Sequence, residues 1–154
     1  MKVRDQDLEL AKSRLKDRDL ALVIAKEREV IFETKAQGVG GFLQAIEKLE
    51  KRLVTSSVAD KIVGAAAAML CAYSGVSSVF AVTISKEGIR VLEDNNITYR
   101  FEHEVPNILN HGKADVCPFE KLVTGYTDPK KAYTKLKAFA ESKSEKTGDA
   151  FGSQ

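Results

Sequence analysis

The chain has 154 residues, enough for one ordinary domain with a core of its own. Charged residues make up 30% and hydrophobic ones 44%, the balance of a globular protein rather than a disordered one. A net charge of +2 with sparse aromatics and no Trp gives little support for nucleic-acid binding, whether through phosphate attraction or base stacking.

Residues 5–18 predict an amphipathic helix with Leu8, Ala11 and Leu15 on one side. No apolar leader precedes it, so no signal peptide is expected. Leu20–Ala25 reads as a buried strand, Lys26–Glu29 as a polar turn and Val30–Thr34 as a returning strand, making a hairpin. Gln37-Gly38-Val39-Gly40-Gly41 leads into a helix from about Phe42 to Leu53. This glycine cluster has neither the Walker lysine and hydroxyl pair nor the dinucleotide spacing, so it reads as a flexible loop.

Ser57 to Tyr73 reads as one helix. Ser57 stands at its cap, Asp60 and Lys61 on its first turn, and Gly64 with Ala65–Ala68 along its shaft; Ser74-Gly75 ends it. Residues 62–85 carry no charge, but Ser74-Gly75-Val76-Ser77-Ser78 interrupts them. A buried helix feeding a central strand, Val79–Ile84, fits better than one span of about 20 apolar residues. A helix over Lys86–Asp94 and an alternating strand over Ile97–Val105 follow. Pro106–Asn110 suggests a short helical turn, 111–117 a loop, Pro118–Thr124 a helix opened by proline, and Pro129 the last helix, ending near Ala140. The polar remainder, 141–154, reads as a disordered tail behind a single domain of residues 1–140. The lysines clustered through the last helix and tail (Lys130, Lys131, Lys135, Lys137, Lys143 and Lys146) fit a solvated face better than a binding patch.

The hairpin implies antiparallel pairing, and the strand–helix–strand unit from Val79 to Val105 implies a parallel, right-handed crossover. The expected fold is therefore an α/β sandwich of three layers with a mixed sheet of about four to five strands. Ligands of open α/β sheets bind beyond the carboxyl ends of the strands. Three segments are expected to meet there: Ser57–Gly64, Ser85–Gly88 and His111–Glu120. Two helix N-termini aimed at one place favour an anion. Asp60, Lys61 and Cys117 are the candidate catalytic groups, and Ser57, Ser85, Lys86 and Glu120 the candidate ligand contacts.

Each candidate has a plainer structural explanation. Asp60 at a helix start stabilises the dipole whether or not it binds anything. Gly64 serves close packing better than ligand contact. Cys117 before Pro118 is either an activated thiol or a small packed residue. Cys71 reads as core, His103 as a hydrogen-bonded strand residue and His111 as exposed. Two His and two Cys, scattered and without Cys-x-x-Cys, make no zinc pattern, and no cofactor is expected. Both cysteines are expected as reduced thiols in a cytoplasmic protein. The alanine face, Ala65–Ala68, is a candidate homodimer surface.

Ala59-Asp60-Lys61 with Val63-Gly64 and the alanine run, then Val105-Pro106-Asn107-Ile108, then Cys117-Pro118-x-Glu120-Lys121-Leu122, resemble the domain of unknown function 1893 family from about Leu8 to Leu136. Asn110-His111 departs from the Asn-Arg expected there. The resemblance implies a cytidine-deaminase-like fold but no established activity. Zinc deaminases carry His-x-Glu at the start of one helix and Pro-Cys-x-x-Cys at the start of the next. The matching places expected here, Val58-Ala59-Asp60 and Ser85-Lys86-Glu87-Gly88, lack those ligands. The resulting expectation is a zinc-free pocket for a small nucleotide-like or anionic molecule, belonging either to a metal-independent enzyme or to a non-catalytic binding module.

Overall fold

The computed structural model describes residues 3–109 and 115–146. Helix α1 (Val3–Asp17) leads into the hairpin of β1 (Leu22–Lys26) and β2 (Glu29–Thr34). Helix α2 (Val39–Leu49) and a 3₁₀ turn (Glu50–Leu53) follow. The chain continues through β3 (Ser57–Val63), α3 (Ala65–Ser74), β4 (Ser78–Ser85), α4 (Lys86–Asp94) and β5 (Thr98–Val105), and closes with α5 (Pro118–Leu122) and α6 (Pro129–Lys146). The five strands form one sheet in the order β2-β1-β3-β4-β5. β1 is antiparallel to both β2 and β3, while β3, β4 and β5 run parallel. This is the mixed α/β sandwich expected, at the upper end of the strand count.

One face of the sheet is covered by α1. Leu8, Ala11 and Leu15 point into a small core with Leu20, Val23, Ala25, Ala59 and Phe80. The buried Asp7 carboxylate pins α1 to the hairpin, accepting the N–H groups of Glu27 (3.1 Å) and Arg28 (2.7 Å). Both turn residues have positive φ (52° and 68°), as a two-residue hairpin turn demands even where no glycine is present. The opposite face carries the larger core, under α2, α3 and α4. α6 packs outside α3, burying Ala132 and Leu136, and Tyr133 stacks on Tyr73 with ring centroids 4.1 Å apart. Enclosed on nearly all sides, α3 needs no polar stripe. Its shaft is accordingly alanine and other apolar residues without amphipathic period.

The largest correction concerns Ser57–Tyr73. It is not one helix: Ser57–Val63 is strand β3, and α3 begins only after Gly64. Val58, Ile62 and Val63 are β-branched, and the central place between β1 and β4 rewards them; helix propensity over the alanines does not extend back past Gly64. Ser57 is therefore no helix cap. Ala65–Ala68 are all buried, which removes that face as a surface for a second copy. α2 begins at Val39 rather than Phe42 and breaks at Glu50, whose φ is +48°. Residues 106–109 form no helical turn; Leu109 instead bridges antiparallel to Val116. α6 runs on to Lys146, past Ala140; Phe139 meets Phe119 edge-on at 5.1 Å, and in the extension Lys143 lies over both rings. His111 and residues 147–154 lie outside the described residues. Among the described residues no helix is long and apolar enough to cross a membrane.

Candidate functional site

The parallel strands end together, and α3 and α4 both start at that edge of the sheet. Three of the expected polar segments do meet there, but in an arrangement the sequence did not show. Glu120, carried by α5, lays its carboxylate across the first turn of α3. The N–H of Ala65 donates to Oε1 at 2.7 Å and the N–H of Ala66 to Oε2 at 2.9 Å. Gly64 is what lets it in: a Cβ there would stand 2.2 Å from Oε1. Burial raises the Glu120 carboxyl above the usual range, the two amides pull it back, and the nearby Glu87 charge adds to the rise. The anion that the start of α3 attracts is thus supplied by the chain itself.

The start of α4 is also occupied. The buried Ser85 hydroxyl accepts the N–H of Gly88 at 3.0 Å, an ordinary N-cap. Gly88 sits so close to the end of β3 that a Cβ would come within 2.8 Å of the Val63 carbonyl oxygen. Lys86 beside it is exposed.

Asp60 and Lys61 part company because β3 is a strand. Successive strand residues face opposite ways. Lys61 faces the α1 side and pairs with Asp19 at 2.6 Å, lowering the Asp19 carboxyl. Asp60 faces the helical layer, between Leu22 of β1 and Ala81 of β4, both core residues. Its carboxyl is half-buried and raised to about 7, first by burial, with the amides of Ile62 and Lys61 opposing. The Ile62 N–H reaches Oδ1 at 3.2 Å. Among the described residues no cation pairs with it. The buried Cys71 of α3 lies near enough that the Asp60 charge adds to the burial that pushes its thiol up. Two positions along the same face, Ile62 is 47% exposed, so the helical cover thins toward the strand end. The Asp60–Cys71 approach is the feature sequence reasoning missed; it becomes legible once the helix start is moved to Gly64.

Ser57 is remote from all of this. It begins β3, fully buried and sharing a 2.8 Å hydrogen bond with the Ser78 hydroxyl. Seven residues of strand at about 3.3 Å each set it about 20 Å from Gly64. Cys117, half-buried, caps α5 through its carbonyl, which accepts from Glu120 and Lys121. Among the described residues no hydrogen bond or ion pair joins Cys117 to Asp60 or Lys61. A shallow concavity lies at the far edge, along β2, lined by Arg14, Arg28, Phe32, Lys48 and Arg52, away from every group discussed here.

The family model for the domain of unknown function DUF1893 matches residues 10–140. The chain belongs to the DUF1893 family. A crystal structure of a DUF1893 family protein (TM1506) from Thermotoga maritima superposes with a TM-score of 0.79 at 27% identity, over 86% of this chain and 88% of that one. RibD of Acinetobacter baumannii superposes with a TM-score of 0.50 at 14% identity, over 64% of this chain and 36% of that one, a likeness of fold alone. No curated protein matches. The fit to zinc can be tested directly on this DUF1893 chain. α2 starts with Val39-Gly40-Gly41, α3 with Ala65-Ala66-Ala67 and α4 with Lys86-Glu87-Gly88. No consecutive pair of helix starts bears the deaminase ligands, and the carboxylate that does reach α3 is spent on its amides. Among the described residues no group of three His, Cys, Asp or Glu side chains could hold a metal ion.

Proposed function

We propose that this DUF1893 protein is a cytoplasmic, deaminase-like binding protein whose pocket, for a small nucleotide-like molecule, is built around Asp60 rather than zinc. One observation carries the reading: a half-buried carboxyl midway along the central strand β3, raised to about 7 and lacking a cation partner among the described residues. A structural carboxylate is normally paired or capped, as Glu120 is; one left to titrate near neutrality is characteristic of a functional group. A carboxyl near its midpoint is part donor and part acceptor. It suits a ligand edge that presents both, such as the amide or amidine edge of a base. Ile62 offers the adjoining apolar wall, and the exposed Lys86 the cation for a ligand phosphate. Ser85 and Glu120 support the helix starts around the pocket instead of touching the ligand. Lys61, on the other face of the sheet, is no acid–base partner for Asp60, and among the described residues no hydrogen bond or ion pair reaches the Cys117 thiol.

The test is a thermal-shift screen of nucleosides, nucleotides and phosphorylated metabolites on the protein, Asp60→Asn and Lys86→Ala. The expected result is a ligand whose stabilisation is lost in Asp60→Asn and weakened in Lys86→Ala. A ligand that shifts wild type and Asp60→Asn equally, or no shift by any compound, overturns the proposal.

A further inference from the structure

Among the described residues, β5 is an edge strand of eight residues, paired only with β4. It contains no proline and pairs with β4 without a bulge; its edge is guarded by charge, in Arg100, Glu102 and Glu104. Six of its eight residues are exposed, including Phe101 at 39%. Tyr99 and Phe101 stack along its α4-side face, and Arg100 and Glu102 stand on its α1-side face, paired to Glu9 and Lys16 of α1.

The hydrogen-bonding direction of each residue follows from one bond. The N–H of Thr98 donates to Ser77 just before β4, so Thr98, Arg100, Glu102 and Glu104 turn their amides and carbonyls inward. Tyr99, Phe101, His103 and Val105 therefore turn theirs outward, to the free edge. A second copy related by a two-fold axis would pair antiparallel through those outward groups. Only residues of equal parity can then oppose one another. If Phe101 meets itself, Tyr99 faces His103 and Arg100 faces Glu102, twice by symmetry. The Arg100–Glu102 pairs fall at the closer, non-hydrogen-bonded positions, with Cα atoms about 4.5 Å apart. Shifting the register by two one way brings Arg100 onto Arg100; the other way it brings Glu102 onto Glu102 while Arg100 comes to face Glu104. The Phe101-centred register is thus the one of the three that pairs opposite charges and sets no like charges directly opposite each other.

We propose that this protein forms a two-fold homodimer through β5, with Phe101 at the axis, joining two five-stranded sheets into one. About six main-chain hydrogen bonds close the junction. On the α1 side the charges alternate from Glu9 to Arg100, to Glu102 of the second copy, to its Lys16. A closed dimer also removes the exposed edge as a template for further strands.

Sedimentation of the intact chain tests this at about 100 μM, where a micromolar dimer is mostly assembled. Wild type is expected as a dimer, Arg100→Glu as a monomer, and the exchanged pair Arg100→Glu with Glu102→Arg as a dimer again. A monomeric wild type, a dimeric Arg100→Glu, or a folded exchange variant that stays monomeric overturns the proposal. Should the exchange variant fail to fold, Phe101→Pro decides. It deletes an outward N–H and leaves the bonds to β4, so a monomer supports the junction and a dimer overturns it.

Discussion

Two partly buried carboxyl groups, one at the edge where the parallel strands end and one midway along β3, teach opposite lessons. Glu120 arrives from a distant segment and is clamped by two amides at the start of α3, in a space left open by Gly64. Asp60 is native to the central strand and, among the described residues, has only amides of its own strand as partners. Both are raised by burial. Glu120 is held where a helix welcomes negative charge, so its role is architectural. Asp60 is held where nothing in the described structure compensates its charge, and the fold tolerates it at some cost.

The sharpest way to break this contrast is Gly64→Ala. The new Cβ evicts the Glu120 carboxylate, leaves two helix amides unmet and costs about 4 kcal/mol of stability in urea unfolding. A loss under about 1 kcal/mol would mean that the clamp is incidental. Asp60→Asn moves stability the other way. The raised carboxyl keeps its proton in the folded state up to about pH 7, whereas the unfolded chain loses it near pH 4. Wild-type stability should therefore fall as pH rises through that window and level off above it. Asn removes this slope and gains about 2 kcal/mol at pH 8, since a half-buried carboxyl keeps part of its hydration. Glu120 contributes a slope of the same sign that survives in the variant. Ser85→Ala removes the α4 cap and costs about 1 kcal/mol, whatever ligand is present. Lys61→Ala breaks only the exposed pair with Asp19; the unfolding midpoint should not move, and ligand stabilisation should persist.

The sequence was most legible where one signal acted alone. α4 begins and ends where Ser85 and Asn95 mark it. The hairpin, the αL stop at Gly75 and β4 follow from local chemistry as well. The failure at Ser57–Val63 came from two signals in one stretch. An alanine-rich helix lies directly downstream, and Ser-x-x-Asp imitates a helix entry; the sheet order, which local pattern does not carry, decided for a strand. That single shift explains the rest. It split Asp60 from Lys61, sent Ser57 to the far end of the sheet, and handed the first turn of α3 to Glu120. The meeting of Gly64, Gly88 and the Cys117–Glu120 segment survives because it depends on which edge the strands point to, not on where the helix starts.

The two side-chain clamps differ in reach along the chain. Asp7 closes onto the hairpin 20 and 21 residues away, whereas Glu120 closes onto α3 across 55 and 54. Closing the longer loop costs only about 0.9 kcal/mol more in chain entropy, but it must wait until β3, β4 and β5 have been laid side by side. The first clamp belongs with early, local assembly and the second with the last step. A contact formed this late is expected to act chiefly on the unfolding rate, so Gly64→Ala should speed unfolding more than it slows folding.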